Sequence, residues 1–226
     1  MNDKALQQLC DAARSFHRRG YAFGSTGNLS VRAGDRVWIT RTGGSLAETA
    51  PDSLAEIGMD GRPLNDCKPS KEYPFHLAAY HAAGDRAGAI VHLHSTYSVA
   101  LACLKSPGAR DPLPAFTPYY LMRVAPLAVL PYFRPGSAGL AAAVGQAAAS
   151  HNALLLRNHG LICLGRDMSE AVDRAEELEE TAKLYFILRN ERVRLLTAAE
   201  RKEIALAFSA PRPAASTAIS GNRRRK

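Results

Sequence analysis

Ala89-Ile90-Val91-His92-Leu93-His94 is the stretch on which the reading of this chain turns. It is short, apolar and β-branched, which is the pattern of a buried strand rather than a helix. Working outward, the 71–83 segment reads as a helix with Pro74 in its first turn, where a missing N–H costs least. Before it come the glycine turn Gly43-Gly44 and two alternating segments, 29–32 and 37–40. These flank Ala33-Gly34-Asp35-Arg36 as a β-hairpin. The Gly24-Ser25-Thr26-Gly27-Asn28 cluster is a loop. Leu6, Leu9, Ala13 and Phe16 place an amphipathic helix over 3–19, stopped by Gly20. Downstream, a helix is expected over 96–104 and a proline-rich loop over 105–118. Strands at 127–130 and 153–156 enclose an alanine-rich helix at 138–149. A long helix follows over 169–194 and a short one over 197–207. Strands alternating with helices make the class α/β, one domain with a central mixed sheet flanked by helices.

Residues two apart in a strand share a face and lie about 6.6 Å apart along it. His92 and His94 therefore point the same way, and two such imidazoles can converge on one metal ion at about 2.0–2.1 Å each. Alone, the pair also fits two structural histidines. His159, in Asn158-His159-Gly160 at the end of the 153–156 strand, is the third candidate. Three neutral imidazoles with an open position describe a catalytic metal site.

Pro69-Ser70-Lys71-Glu72 opens the 71–83 helix. Ser70 and Glu72 fit an ordinary N-cap and first-turn carboxylate. They also fit an anion site, where free backbone N–H groups face a ligand beside a carboxylate. The loops around Asn28 and around Thr42-Gly43 add further donors, so a phosphate cradle is expected from Asn28, Thr42, Gly43 and Ser70. His76, one turn past Glu72, either orients it or is structural. His17, His81 and His151 are expected to be solvated, and the acidic run 176–180 to be a solvated or interface face.

The 226 residues carry a formal charge of +8, which alone would suggest nucleic acid. Five of those charges, Arg212, Arg223, Arg224, Arg225 and Lys226, lie beyond residue 210 with no acid among them. Without them the preceding 210 residues are only +3. No nucleic-acid partner is expected, and 209–226 reads as a disordered basic tail following a catalytic domain over 1–208. No stretch approaches the roughly 20 apolar residues of a membrane span, and the first twenty residues lack the uninterrupted apolar core of a secretory signal, so none is expected. Cys10, Cys67, Cys103 and Cys163 are scattered, as reduced thiols of a cytoplasmic protein would be.

In order, Gly27-Asn28-Leu29-Ser30-Val31-Arg32, Thr42-Gly43, Pro69-Ser70-x-Glu72 with His76, His92-x-His94 and Asn158-His159-Gly160 resemble the class II aldolase/adducin superfamily over roughly residues 5–195. The resemblance implies a three-layer α/β/α fold with a largely antiparallel sheet. It implies a divalent metal on His92, His94 and His159: zinc, or another ion such as Mn2+ or Co2+. Glu72 becomes the acid/base, and a metal ligand when no substrate is bound. Asn28, Thr42, Gly43 and Ser70 become the phosphate site. It further implies a homotetramer with sites at subunit interfaces, reached by Tyr119 or Tyr120 of a neighbouring copy; either tyrosine also fits core packing.

Two departures narrow the resemblance. Lys71 stands where the aldolases and epimerases have a second serine, and Glu72 where the epimerases have Asp. The segments Ser70–Pro74, His92–Thr96, Thr117–Met122 and Glu177–Tyr185 look closest to the branch of 3-oxo-tetronate 4-phosphate decarboxylases, which implies a small phosphorylated sugar acid as substrate. Lys71 then contacts phosphate or the substrate carboxylate, or is a solvated lysine. The alternatives are an aldolase cleaving a phosphorylated ketose such as fuculose 1-phosphate, and a non-enzymatic adducin-like module.

Overall fold

The computed structural model of the chain describes residues 3–105 and 112–208. At its centre runs β4 (Ala89–Leu93), paired antiparallel to β1 (Asn28–Ala33) on one side and β7 (Gly160–Gly165) on the other. Beyond β1 lie β2 (Arg36–Thr40) and the edge strand β3 (Leu54–Gly58); beyond β7 lie β6 (Ala153–Leu156) and β5 (Leu127–Leu130). Only β5 and β6 run parallel, so the seven-stranded sheet is mixed and mostly antiparallel.

The central strand is buried throughout because both its faces are covered. Ala89, Val91 and Leu93 share one buried cluster with Leu9 and Phe16 of α1 (Asp3–Arg18) and with Ala171, Ala175 and Leu178 of α6 (Met168–Leu188). Ile90 faces the opposite layer, with Phe75 and Tyr80 of α2 (Tyr73–Ala83) and Leu140 and Val144 of α5 (Ala138–Ala148). Each fully buried aliphatic or aromatic side chain contributes about 1.5–3 kcal/mol. Helix, sheet and helix are therefore stacked as three layers. His92 shares the Ile90 face by strand alternation, so it emerges toward α2.

Several elements exceed the sequence expectations. β3, β7 and the short helix α4 (Pro118–Arg123) were not expected, and α6 stops at Leu188 where a helix to 194 was expected. The expected helices near 96–104 and 197–207 are α3 (Thr96–Cys103) and α7 (Ala198–Phe208). The tail expected over 209–226 lies outside the described residues. No helix among the described residues is long and apolar enough to cross a membrane.

Candidate metal centre

His92 lies opposite Asn28 on β1 and Ile162 on β7, so the central strand delivers it into the middle of the sheet. His94 follows just beyond the strand. The β6–β7 turn brings up His159 after Asn158, which adopts a left-handed φ of 55°. The three rings stand edge to face, with centroids 4.8–4.9 Å apart. Glu72, the N-cap position of α2, reaches the same point.

Two glycines allow this convergence. A Cβ on Gly27 would sit 2.9 Å from the His92 carbonyl oxygen, and one on Gly160 only 2.3 Å from that of Leu93. The loops before Asn28 and after His159 thus press their backbones onto β4.

The donor atoms fit a divalent ion. His92 Nε2 lies 3.0 Å from His94 Nε2 and 3.2 Å from Glu72 Oε2, and His159 Nε2 lies 3.3 Å from Glu72 Oε1. A tetrahedral ion with arms of 2.0–2.1 Å has ligand–ligand edges of about 3.3 Å. His92 donates its Nδ1 proton to the Leu161 carbonyl at 2.7 Å, which leaves its Nε2 lone pair aimed at the cluster. Glu72 Oε1 is buried without a hydrogen-bond partner among the described residues, as an oxygen meant for a cation would be. Burial, then the charges of His92 and His159, push His94 down to about 3, against the pull of Glu72, so it is a neutral ligand at neutral pH. Burial alone would raise the Glu72 carboxyl. The charge of His92 and the contacts from His159, His92 and Asn28 outweigh it and hold Glu72 well below the usual carboxylate range.

Beside the cluster, the backbone of 40–42 pairs with that of 68–70. Thr42 N–H donates to Lys68 O, Ser70 N–H donates to Thr40 O, and Arg41 bridges Pro69. The segments carrying Thr42 and Ser70 are thereby paired just before α2. Ser70 Oγ accepts the Glu72 N–H at 3.3 Å, and Lys71 is exposed.

The model of the class II aldolase and adducin N-terminal domain matches residues 7–186. The chain belongs to the class II aldolase and adducin family. It is 46% identical to a 3-oxo-tetronate 4-phosphate decarboxylase of Haemophilus influenzae over 206 residues, covering 90% of this chain and 98% of that one. It is 33% identical to an L-fuculose phosphate aldolase of Methanocaldococcus jannaschii, over 83% of this chain and 97% of that one. Among solved structures it is similar to YgbL of Klebsiella pneumoniae, at TM-score 0.85 and 41% identity, covering 89% and 98% of the two chains.

Within this aldolase-family frame, the two tyrosines separate. Tyr120 is 1% exposed and part of the core, whereas Tyr119 is 54% exposed under the Arg123 guanidinium. Of the two, Tyr119 is the one that projects from the chain. Asn28 also differs from a bare phosphate donor. Its amide is buried, with Nδ2 donating to Glu72 Oε2 at 2.9 Å and Oδ1 facing His76 Nε2 at 2.5 Å. The acidic run on α6 is only partly the expected solvated face. Glu179 is buried and accepts from the N–H groups of Tyr97 and Ser98 and the hydroxyls of Ser95 and Ser98. It caps α3 directly after His94, which steadies that ligand's exit from the sheet. Its helical alignment with Ala175 and Ala182, four before and three after it, could have flagged it. Of the histidines expected to be solvated, His81 is exposed while His17 and His151 are half-buried.

Proposed function

We propose that this chain is a divalent-metal-dependent carbon–carbon lyase that converts 3-oxo-tetronate 4-phosphate to dihydroxyacetone phosphate and CO2. The observation that carries this reading is the cluster of His92, His94, His159 and Glu72. The greater likeness to a decarboxylase than to a fuculose phosphate aldolase supports it.

The substrate is a β-keto acid, so loss of CO2 leaves an electron pair conjugated with the ketone, an enediolate. His92, His94 and His159 would hold a divalent cation such as zinc, manganese or cobalt, which when bound would supply Lewis-acid stabilisation of the developing oxyanion. Thr42, Gly43 and Ser70 hold the phosphate and so fix the remote end of the substrate. Lys71, the residue that separates this chain from the aldolases, pairs with the carboxylate that leaves. The reaction takes up one proton overall; Glu72, ionised at rest, accepts it and passes it to the carbon that lost CO2. Asn28 serves Glu72 rather than the phosphate through its side chain. Tyr119 reaches the site of a neighbouring copy in a homotetramer.

Glu72→Gln keeps the shape and removes the proton carrier. Turnover should fall roughly 100-fold or more, while bound metal measured by elemental analysis stays near the wild-type value. Full turnover in that variant would remove Glu72 from the chemistry.

A further inference from the structure

Behind Glu72 lies a buried chain of polar groups running away from the metal cluster into the layer between β1 and α2. Asn28 and Ser30 are alternate residues of β1 and share its α2-facing side, while Leu29 and Val31 enter the other core. His76 and Tyr80 are four apart on α2 and share the face that meets them. The period of the strand thus meets the period of the helix, and four side chains form one line. Tyr80 Oη lies 2.7 Å from Ser30 Oγ, Ser30 Oγ 2.8 Å from His76 Nδ1, and His76 Nε2 2.5 Å from Asn28 Oδ1. Asn28 Nδ2 completes it at Glu72 Oε2. Ser30, His76 and Tyr80 are each 0% exposed.

The direction of every bond in this line follows from its end. An ionised carboxylate only accepts, so Asn28 must turn its NH2 toward Glu72 and its carbonyl toward His76. His76 must then carry its proton on Nε2. Burial, with the charge of His92 next and Glu72 opposing, lowers this imidazole to about 3 and keeps it neutral, so Nδ1 is a bare acceptor. Ser30 must therefore donate to Nδ1, and Tyr80 must donate to Ser30. A ring with the proton on Nδ1 would present a lone pair to Asn28 Oδ1 and leave the amide free to flip its oxygen toward Glu72.

We propose that Tyr80, Ser30 and His76 are positioning residues, a one-directional hydrogen-bond relay that locks the Asn28 amide as a donor to Glu72 Oε2. This rests on the reading of Glu72 as the proton carrier. The relay holds one carboxylate oxygen in a fixed contact. Both oxygens face the cluster: Oε2 lies 3.2 Å from His92 Nε2, and Oε1, which has no hydrogen-bond partner among the described residues, lies 3.3 Å from His159 Nε2. None of the three relay side chains touches the cluster itself.

The first test needs neither substrate nor metal. Long-range proton–nitrogen NMR of the metal-free protein, with nitrogen-15 in histidine, should show His76 neutral with its proton on Nε2. A proton on Nδ1, or on both nitrogens at neutral pH, overturns the relay whatever reaction the protein catalyses. The second test compares His76→Leu with His76→Gln, whose amide can again donate an N–H toward Asn28. His76→Leu should lower kcat roughly 10–100-fold with KM and bound metal little changed, and His76→Gln should recover most of that loss. Equal loss in both variants, or loss carried by KM, reduces His76 to packing. If His76→Leu does not fold, the NMR result and the kcat of Ser30→Ala, expected to fall with KM unchanged, decide the matter. An inactive wild-type protein with His76 protonated on Nε2 would refute the proposed reaction and leave the relay standing.

Discussion

The Nε2 atoms of His92 and His94 stand 3.0 Å apart. Both rings would direct lone pairs into that gap when neutral, and the Glu72 carboxylate approaches the same point at 3.2 Å. Such a set of acceptors is stable only around a cation or a shared proton. The purified protein is expected to hold about one divalent ion per chain. His92→Ala and His159→Ala should each bring that content well below wild type in elemental analysis. Unchanged content in both variants would place the ion elsewhere.

The metal-free protein should weaken in mild acid. His76 titrates near 6.5 when unfolded and at about 3 when folded, lowered first by burial and next by the charge of His92, against Glu72. Between these values the unfolded chain binds a proton that the folded chain refuses. Stability is therefore full above about 6.5 and falls as the pH drops toward 3. For His76 alone the loss between pH 7 and pH 5 is about 2 kcal/mol. Urea unfolding of the metal-free protein at both pH values measures it. His76→Gln should show a shallower pH dependence, and an identical slope would assign the effect to other groups.

Gly160→Ala should cost stability and metal together. Its Cβ would fall 2.3 Å from the Leu93 carbonyl oxygen and 3.2 Å from His94 Cδ2, so β4 or the His94 ring must move. A loss of about 3 kcal/mol is expected. Gly34→Ala is the control: its φ is +57° but nothing lies within 4 Å of the new Cβ. It should cost only about 1 kcal/mol of backbone strain and keep its metal. Thermal unfolding with metal analysis separates the two; Gly160→Ala with full metal content would mean that the pressed loop does not set His94.

The two adjacent tyrosines should behave oppositely. Tyr120→Ala removes a 1% exposed ring from the core and should cost about 3–5 kcal/mol. Tyr119→Ala removes a ring that is 54% exposed and should leave the melting temperature nearly unchanged while turnover falls. Wild-type turnover in Tyr119→Ala would end the proposal that it serves a neighbouring site.

The α2-facing and α6-facing layers were legible because their signals are local. The hairpin of β1 and β2, the short buried run of β4 and the periodicity of α1 and α6 are each written in one continuous segment. β3 was not legible: Leu-Ala-Glu-Ile-Gly is short and ends in glycine, and its pairing with β2 specifies it. β7 begins on the glycine of a site motif and follows β6 after three residues, which hides it behind the His159 turn. At the site, the H-x-H spacing exposed the two strand ligands. The service of Asn28 to Glu72 and the cap that Glu179 makes on α3 depend on contacts 44 and 81–84 positions apart, which no local pattern encodes.

The most direct measurement offers the purified, metal-loaded protein 3-oxo-tetronate 4-phosphate and fuculose 1-phosphate in parallel, following CO2 release and aldehyde formation. CO2 with dihydroxyacetone phosphate from the first, and little or no aldehyde from the second, is the expected result. Aldehyde release without CO2 would contradict the decarboxylase assignment.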